Sequence, residues 1–185
     1  MISPTYDYAQ LVQHLLKGER NQQANVWRGF LAGAIGGLIG TALKSVAEQV
    51  LPPRPPQQDP PPADIAQDIS EELTGERLSE QNKNIAAETQ HWLFGTLIGG
   101  AYGAAVEYVP AASQGMGLPF GTLVFGVMHE GLLPAAGYEE PHAEKDDEEE
   151  RNELLTHLVY GFATELVRQS VRPLLAREEN VEAAA

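Results

Sequence analysis

Glycine recurs every four residues along the apolar parts of this chain, and ionisable residues continue each row. The first row is Gly36, Gly40, Lys44 and Glu48, and the second is Gly95, Gly99, Gly103 and Glu107. The third is Gly117, Gly121, Phe125 and His129, with Glu130 next to the histidine, and the fourth is His157, Gly161 and Glu165, followed by Arg168. A spacing of four places residues on one face of an α-helix. One face of each predicted helix therefore carries both the small residues and the charges.

The apolar residues are separated from the charged ones along the chain. Four stretches lack charged side chains, at residues 29–43, 92–106, 108–128 and 154–164. When a few polar residues are allowed at their ends, they predict helices near 26–51, 89–109, 115–133 and 154–171. The sequence thus predicts an all-α protein built on a four-helix bundle.

The glycine content favours a membrane environment for these helices. In water, each glycine inside a helix costs about 1 kcal/mol relative to alanine. In lipid, the backbone has no water to bond and must be helical, and small residues let helix axes approach closely. Aromatic residues also lie near the predicted ends, as they do at membrane interfaces: Trp27, Trp92, Tyr108, Tyr138 and Tyr160. We therefore expect an integral membrane bundle in contact with the lipid bilayer, although the charge-free stretches are short enough for a soluble bundle.

The rest of the chain is polar. Residues 1–25 are expected to form an amphipathic lead-in, and residues 26–173 the membrane domain. Within that domain, residues 52–88 form a connection that is rich in proline and acidic residues and has a short helical pattern at 63–73, and residues 138–153 form an acidic, solvated loop. Residues 174–185 are predicted to be a flexible tail.

Charge and composition exclude several classes of protein. The net charge is −14, with no cluster of Lys and Arg for phosphates, so a nucleic-acid partner is not expected. The absence of cysteine excludes disulfides and thiolate chemistry. No nucleophile elbow or phosphate-binding glycine loop is present. We therefore predict neither an enzyme nor a cofactor, and we assign no metal ligands.

The ionisable residues fall into two groups when the four helices alternate in direction. Both termini then lie on one side, which Arg28, Arg168 and Arg172 assign to the cytoplasm by the positive-inside rule. One membrane face receives six residues: Lys44, Glu48, His91, His129, Glu130 and His157. The opposite face receives a second group: Glu107, Glu165 and Arg168.

Three interpretations of the six-residue group remain open. It could be a structural network of ion pairs, with Lys44–Glu48 and Glu165–Arg168 paired within their helices. It could change charge on acidification, because histidine titrates near neutral pH. It could also bind a transition metal, although its members come from separate helices and match no metal motif.

Several segments of the sequence resemble the YagU family of bacterial inner-membrane proteins. The resemblance begins with Gly-Phe-Leu-Ala-Gly at 29–33, continues through Lys44 and Glu48, and includes Leu-Pro-Pro-Arg-Pro at 51–55. It continues with His91, Tyr102, Glu107, Pro110, Gly121, His129, Pro134, Gly137, His157-Leu158-Val159, Glu165 and Arg168. The resemblance implies a small multi-pass inner-membrane protein without assigned chemistry, and a link to survival in extreme acid.

The function expected from the sequence is therefore a multi-pass inner-membrane protein whose buried cluster responds to protons and supports acid tolerance. The first alternative is a membrane-anchored scaffold that binds partners through its Pro-rich and acidic connections. A soluble, metal-binding helical bundle is a further alternative. Glycine faces also suit contact with a second copy or another membrane protein.

Overall fold

The protein is entirely helical in the part of the chain that the structure describes. This computed structural model describes residues 24–55, 58–140 and 146–182, with side chains up to residue 176. No strand occurs among these residues. The α-helices are α1 (Val26–Glu48), α2 (Pro61–Thr74), α3 (Glu80–Tyr108), α4 (Leu118–Val127), α5 (Leu133–Ala136) and α6 (Asp147–Glu182). The predicted amphipathic lead-in at 1–25 lies almost wholly outside the described residues.

Local sequence signals explain where these helices begin. The Asn25 side chain accepts a hydrogen bond from the Arg28 backbone N–H at the start of α1, and Ser79 does the same for α3. These are the residue types that satisfy unpaired N–H groups at helix starts. α2 begins with Pro61, and Gly75, which has a positive φ of 74°, caps its C-terminal end.

The fourth predicted helix is longer than expected at both ends. α6 begins at Asp147 and continues to Glu182, passing through Pro173. The prediction of a solvated loop at 138–153 is therefore wrong for residues 147–153, and that of a flexible tail from 174 is wrong for 174–182. Four acidic residues in the first turn of α6 explain its early start, because they face the positive end of the helix dipole.

The second and third predicted helices also differ from expectation. α3 starts at Glu80, nine residues before the predicted boundary at 89, because Ser79 caps it. A π-turn at Met128–Leu132 interrupts the third helix between α4 and α5. Pro134 explains the turn, because proline has no N–H to donate to the carbonyl four residues earlier.

α1 is the central helix, and it packs against α3 and α6 through two different glycine rows. One row faces α3: a Cβ on Gly33 would lie 2.2 Å from the Gly99 carbonyl oxygen, and one on Gly37 would lie 2.4 Å from the Gly95 carbonyl oxygen. Gly29 meets Gly103 in the same way. These distances are too short for any side chain. The two backbones therefore touch directly along the contact.

The predicted pair Gly36 and Gly40 instead faces α6. A Cβ on Gly36 would lie 2.4 Å from the Thr164 carbonyl oxygen. α4 also approaches α6 through glycine: Cβ atoms on Gly117 and Gly121 would lie 2.1 Å and 2.2 Å from the carbonyl oxygens of Gly161 and His157. Glycines therefore allow close backbone contact between three pairs of helices: α1 and α3, α1 and α6, and α4 and α6.

Burial in this protein is inverted relative to a water-soluble domain. Among the described residues, 25 large apolar side chains are exposed, whereas twelve polar or charged residues and eleven apolar residues are buried. The buried polar set is Thr41, Lys44, Gln67, Lys83, His129, Asn152, Glu153, Thr156, His157, Thr164, Glu165 and Arg168. Among the described helices, α1 is long and apolar enough to cross a membrane.

Candidate functional site

Glu153 is the centre of a buried group of charged and imidazole side chains. It lies near the start of α6 and is 6% exposed. Its Oε1 atom is 3.1 Å from Lys44 Nζ on α1, and its Oε2 atom is 3.0 Å from Arg54 Nη2 in the Pro-rich connection. Lys44 also donates to Glu48. One carboxylate therefore joins α1, α6 and the first connection.

Two histidines complete this group, which we call the Glu153 cluster: Lys44, Glu48, Arg54, His129, Glu139, Glu153 and His157. His129 Nε2 and His157 Nδ1 lie 3.5 Å and 3.4 Å from Glu153 Oε1. The two imidazole rings meet edge to face, with centroids 4.8 Å apart. His157 Nδ1 is also 2.8 Å from the Glu153 carbonyl oxygen, and His129 Nδ1 is 2.8 Å from Glu139 Oε1.

These neighbours set the charge of Glu153. The Lys44 ammonium and the Arg54 guanidinium contact one oxygen of the carboxylate each, at 3.1 Å and 3.0 Å. Two cations this close favour the ionised form of a buried carboxyl group.

The cluster opens onto a cavity of about 500 Å³ between the helices. Five of the six residues predicted for this membrane face line it: Lys44, Glu48, His91, His129 and His157. His91 Nε2 is buried there, without a hydrogen-bond partner in the part of the chain that the structure describes. Such a nitrogen is available to a water, a proton or a ligand.

Glu130, the sixth predicted residue, does not line this cavity. It follows His129 within the π-turn. Glu130 is therefore separate from the five predicted residues that line the cavity.

A second, smaller cavity of about 220 Å³ adjoins the first at the acidic connections, and we call it the acidic outer cavity. Its ionisable lining consists of Arg54, Asp59, Glu139, Glu140, Glu149, Glu150 and Glu153. Arg54, Pro61 and Glu153 line both cavities. The Arg54–Glu153 ion pair therefore lies at the boundary between them.

Sequence reasoning missed Glu153, because it placed this residue in a solvated loop. A signal was present, however: Glu153 continues the row His157, Gly161 and Glu165 by one helical turn. It also missed Arg54 and Glu139 as members of the site. Neither lies on a glycine row.

The second predicted group forms two separate ion pairs. Glu165 is fully buried and accepts hydrogen bonds from Arg168 Nε at 2.6 Å, Tyr102 at 2.9 Å and Gln169 at 2.7 Å. Glu107 accepts from Arg172 Nη2 at 2.9 Å and from the Asn25 backbone N–H at 2.8 Å. Each carboxylate has several donors, including one on another helix. These ion pairs therefore stabilise contacts between helices.

The Glu153 cluster also contains the described residues best placed to hold a metal ion. One ligand atom from each of His129, Glu153 and His157 can be chosen so that all three lie within 4.8 Å of one another. Imidazole and carboxylate groups of this kind can bind a cation or hold a proton.

Comparison with known proteins identifies one family. The model of a family described as "protein of unknown function (DUF1440)" matches residues 38–166. This match includes the whole Glu153 cluster and Glu165. No curated protein and no solved structure matches the chain.

Proposed function

This chain belongs to the DUF1440 family of proteins of unknown function, and we propose that it is a multi-pass protein of the bacterial inner membrane. In this proposal α1, α3, the α4–α5 segment and α6 cross the bilayer as a four-helix bundle. Its buried polar cavity takes up protons and contributes to acid tolerance. The resemblance to the YagU family supports the same role.

The inverted burial is the observation that carries the membrane assignment. Exposed apolar side chains run along all four segments, including Leu31 and Leu38 on α1, Leu97 on α3, Leu123 on α4 and Phe162 on α6. A monomeric soluble protein rarely exposes contiguous apolar surface beyond a few hundred Å². In lipid the same surface is favourable, and charged residues belong in the bundle interior.

The positions of the charges support one orientation. The Glu153 cluster lies at the C-terminal end of α1 and near the N-terminal end of α6, so it belongs to the face that carries both acidic connections. Arg28 and Arg172 lie at the opposite face. By the positive-inside rule that face is cytoplasmic, which places the cluster toward the periplasm, where external acid arrives first.

We assign proton uptake to His91, whose Nε2 atom is buried in the cavity without a partner among the described residues. The charged groups that act on it are Lys44 and Glu48 from α1, Glu88 from α3 and Glu153 from α6. Burial and the ammonium of Lys44 oppose a proton on His91, whereas the three carboxylates favour one.

A scaffold function fits the Pro-rich connection less well. The Pro52 carbonyl accepts a hydrogen bond from Asn152, and the Pro62 carbonyl accepts one from Gln90. Arg54 is held by Glu153. These groups are used inside the molecule, so they are not available to a docking partner.

The membrane assignment is tested by fractionation. Cells that produce the protein are lysed without detergent, and the membranes are washed with alkaline carbonate. We expect the protein to stay in the pellet and to dissolve only in detergent. Recovery in the first supernatant would refute the proposal.

The acid role is tested by survival of a deletion strain that carries plasmid copies of the gene. We expect His91→Gln to lower survival in strong acid to that of the empty plasmid, at unchanged protein abundance. Leu93→Ala, which removes an exposed side chain of α3, is the control and should restore survival. Equal survival of the deletion strain and the wild type would reject the role.

A further inference from the structure

We propose that His129, Glu153 and His157 form a binding site for a divalent transition-metal ion of the Zn²⁺ class, which is reached through the acidic outer cavity. This site goes beyond the proposed function and does not depend on acid tolerance. Two histidines and a carboxylate are a ligand set that zinc accepts.

Both histidines have the hydrogen bonds of metal ligands. His129 Nδ1 is 2.8 Å from the Glu139 carboxylate, and His157 Nδ1 is 2.8 Å from the Glu153 carbonyl. Both acceptors favour the proton on Nδ1, which leaves each Nε2 unprotonated. A carboxylate or carbonyl that accepts from the other ring nitrogen in this way orients most ligating histidines.

The spacing of the groups suits one ion. His129 Nε2 is 3.5 Å from Glu153 Oε1, and two ligand atoms at tetrahedral zinc distances are about 3.4 Å apart. One atom from each of the three residues lies within 4.8 Å of the others. Because the His157 nitrogen that lies 3.4 Å from Glu153 Oε1 is Nδ1, ligation through Nε2 requires a change in the orientation of this ring. Three protein ligands leave a fourth position for water from the adjoining cavity.

The charge balance leaves room for a cation. The cluster holds three carboxylates, Glu48, Glu139 and Glu153, against two permanent cations, Lys44 and Arg54. A bound metal would compete with Lys44 for Glu153 Oε1, which the ammonium contacts at 3.1 Å. Lys44 retains Glu48 as a partner when displaced. Metal binding and the Lys44–Glu153 contact therefore oppose each other.

The outer cavity supplies an access route. Its lining has six carboxylates and one cation, Arg54, and a concave surface in which one charge predominates raises the local concentration of counter-ions. Glu139 and Glu153 belong to both this lining and the cluster. A cation that enters here meets the proposed ligands next.

The test is a titration of untagged, metal-stripped protein in detergent with Zn²⁺ by calorimetry, and with Co²⁺ by visible absorption. We expect one ion per chain and a Co²⁺ spectrum with tetrahedral intensity. His157→Ala should weaken Zn²⁺ binding at least about 100-fold, and Glu139→Gln about 10-fold or more, as loss of an orienting partner does. Glu130→Gln is the matched control next to His129 and should bind like the wild type.

Lys44→Met separates metal ligation from general damage to the fold. Because it removes the competing cation, it should tighten Zn²⁺ binding about 10-fold, which a misfolded variant would not do. Binding that is absent from the wild type would overturn the proposal. So would equal affinities in His157→Ala and Glu130→Gln, or weaker binding in Lys44→Met.

Discussion

Buried charges in the described part of this protein have donors or acceptors on their own helix and on neighbouring helices. Glu165 is fully buried but accepts from Tyr102, Arg168 and Gln169, and Glu153 has two cations and two imidazoles around it. A buried carboxylate without such partners would cost several kcal/mol. These pairings therefore explain why so many ionisable groups are tolerated inside a small bundle.

Replacing Glu153 with Gln should destabilise the metal-free protein by about 3 kcal/mol at pH 7, because Lys44 and Arg54 lose a buried partner. Denaturation in detergent with a chelator present should show this difference between the wild type and Glu153→Gln at pH 7. Equal free energies of unfolding for the two proteins would contradict this account.

Helix packing depends on backbone contact in the glycine rows of α1, α3, α4 and α6. α1 uses two rows that are offset around its surface, so one helix meets two partners at short range. Thr41 continues the row that faces α3, where it contacts Gly95, and its hydroxyl donates to the Gly37 carbonyl within α1. At this scale, small residues replace the large interlocking side chains of a soluble core.

Gly33→Ala should separate α1 from α3, because its Cβ would lie 2.2 Å from the Gly99 carbonyl oxygen. We expect a loss of about 1–3 kcal/mol in the free energy of unfolding, the usual cost of overpacking. Gly126→Ala is the matched control, since no atom beyond the local helix backbone lies within 4 Å of the place its methyl group would occupy. That variant should be neutral or more stable by up to about 1 kcal/mol. Equal effects of the two substitutions would argue against backbone contact as the basis of packing.

At the scale of the molecule, the described residues bury many polar groups and expose many apolar ones, and most of the acidic residues of the sequence lie in two segments. Residues 52–88 and 138–153 hold 17 of the 26 acidic side chains. The Glu153 cluster and the acidic outer cavity include residues of both segments. The same segments hold five basic residues, so −12 of the net charge of −14 belongs to one proposed membrane face.

The absence of cysteine allows this orientation to be measured directly with single substitutions. We expect a membrane-impermeant maleimide to label Glu72→Cys on α2 in intact spheroplasts. Gln114→Cys, in the segment between α3 and α4, should be labelled only after the membrane is opened. Both positions are exposed. The reverse pattern would place the cluster on the cytoplasmic face, and labelling of both would exclude a four-span topology.

Much of the fold and part of the site follow from local spacing. The four-residue rows predicted helical faces, because side chains four apart share a face whatever surrounds them. Five of the six residues predicted for one membrane face line one cavity, because the rows place them near the same ends of their helices. Helix ends were less predictable, since capping by Ser79 and the acidic first turn of α6 extend helices into polar sequence.

By itself, the sequence determined the helical class, the rows of small residues and the position of charges near helix ends, all of which depend on neighbours within a few residues. Only the tertiary structure decided which glycine row of α1 meets α3 and which meets α6, because both rows are sterically suited to either helix. It also decided that Glu153 is the central carboxylate. Lys44 lies 109 positions from Glu153 in the chain, so no local pattern can specify their contact.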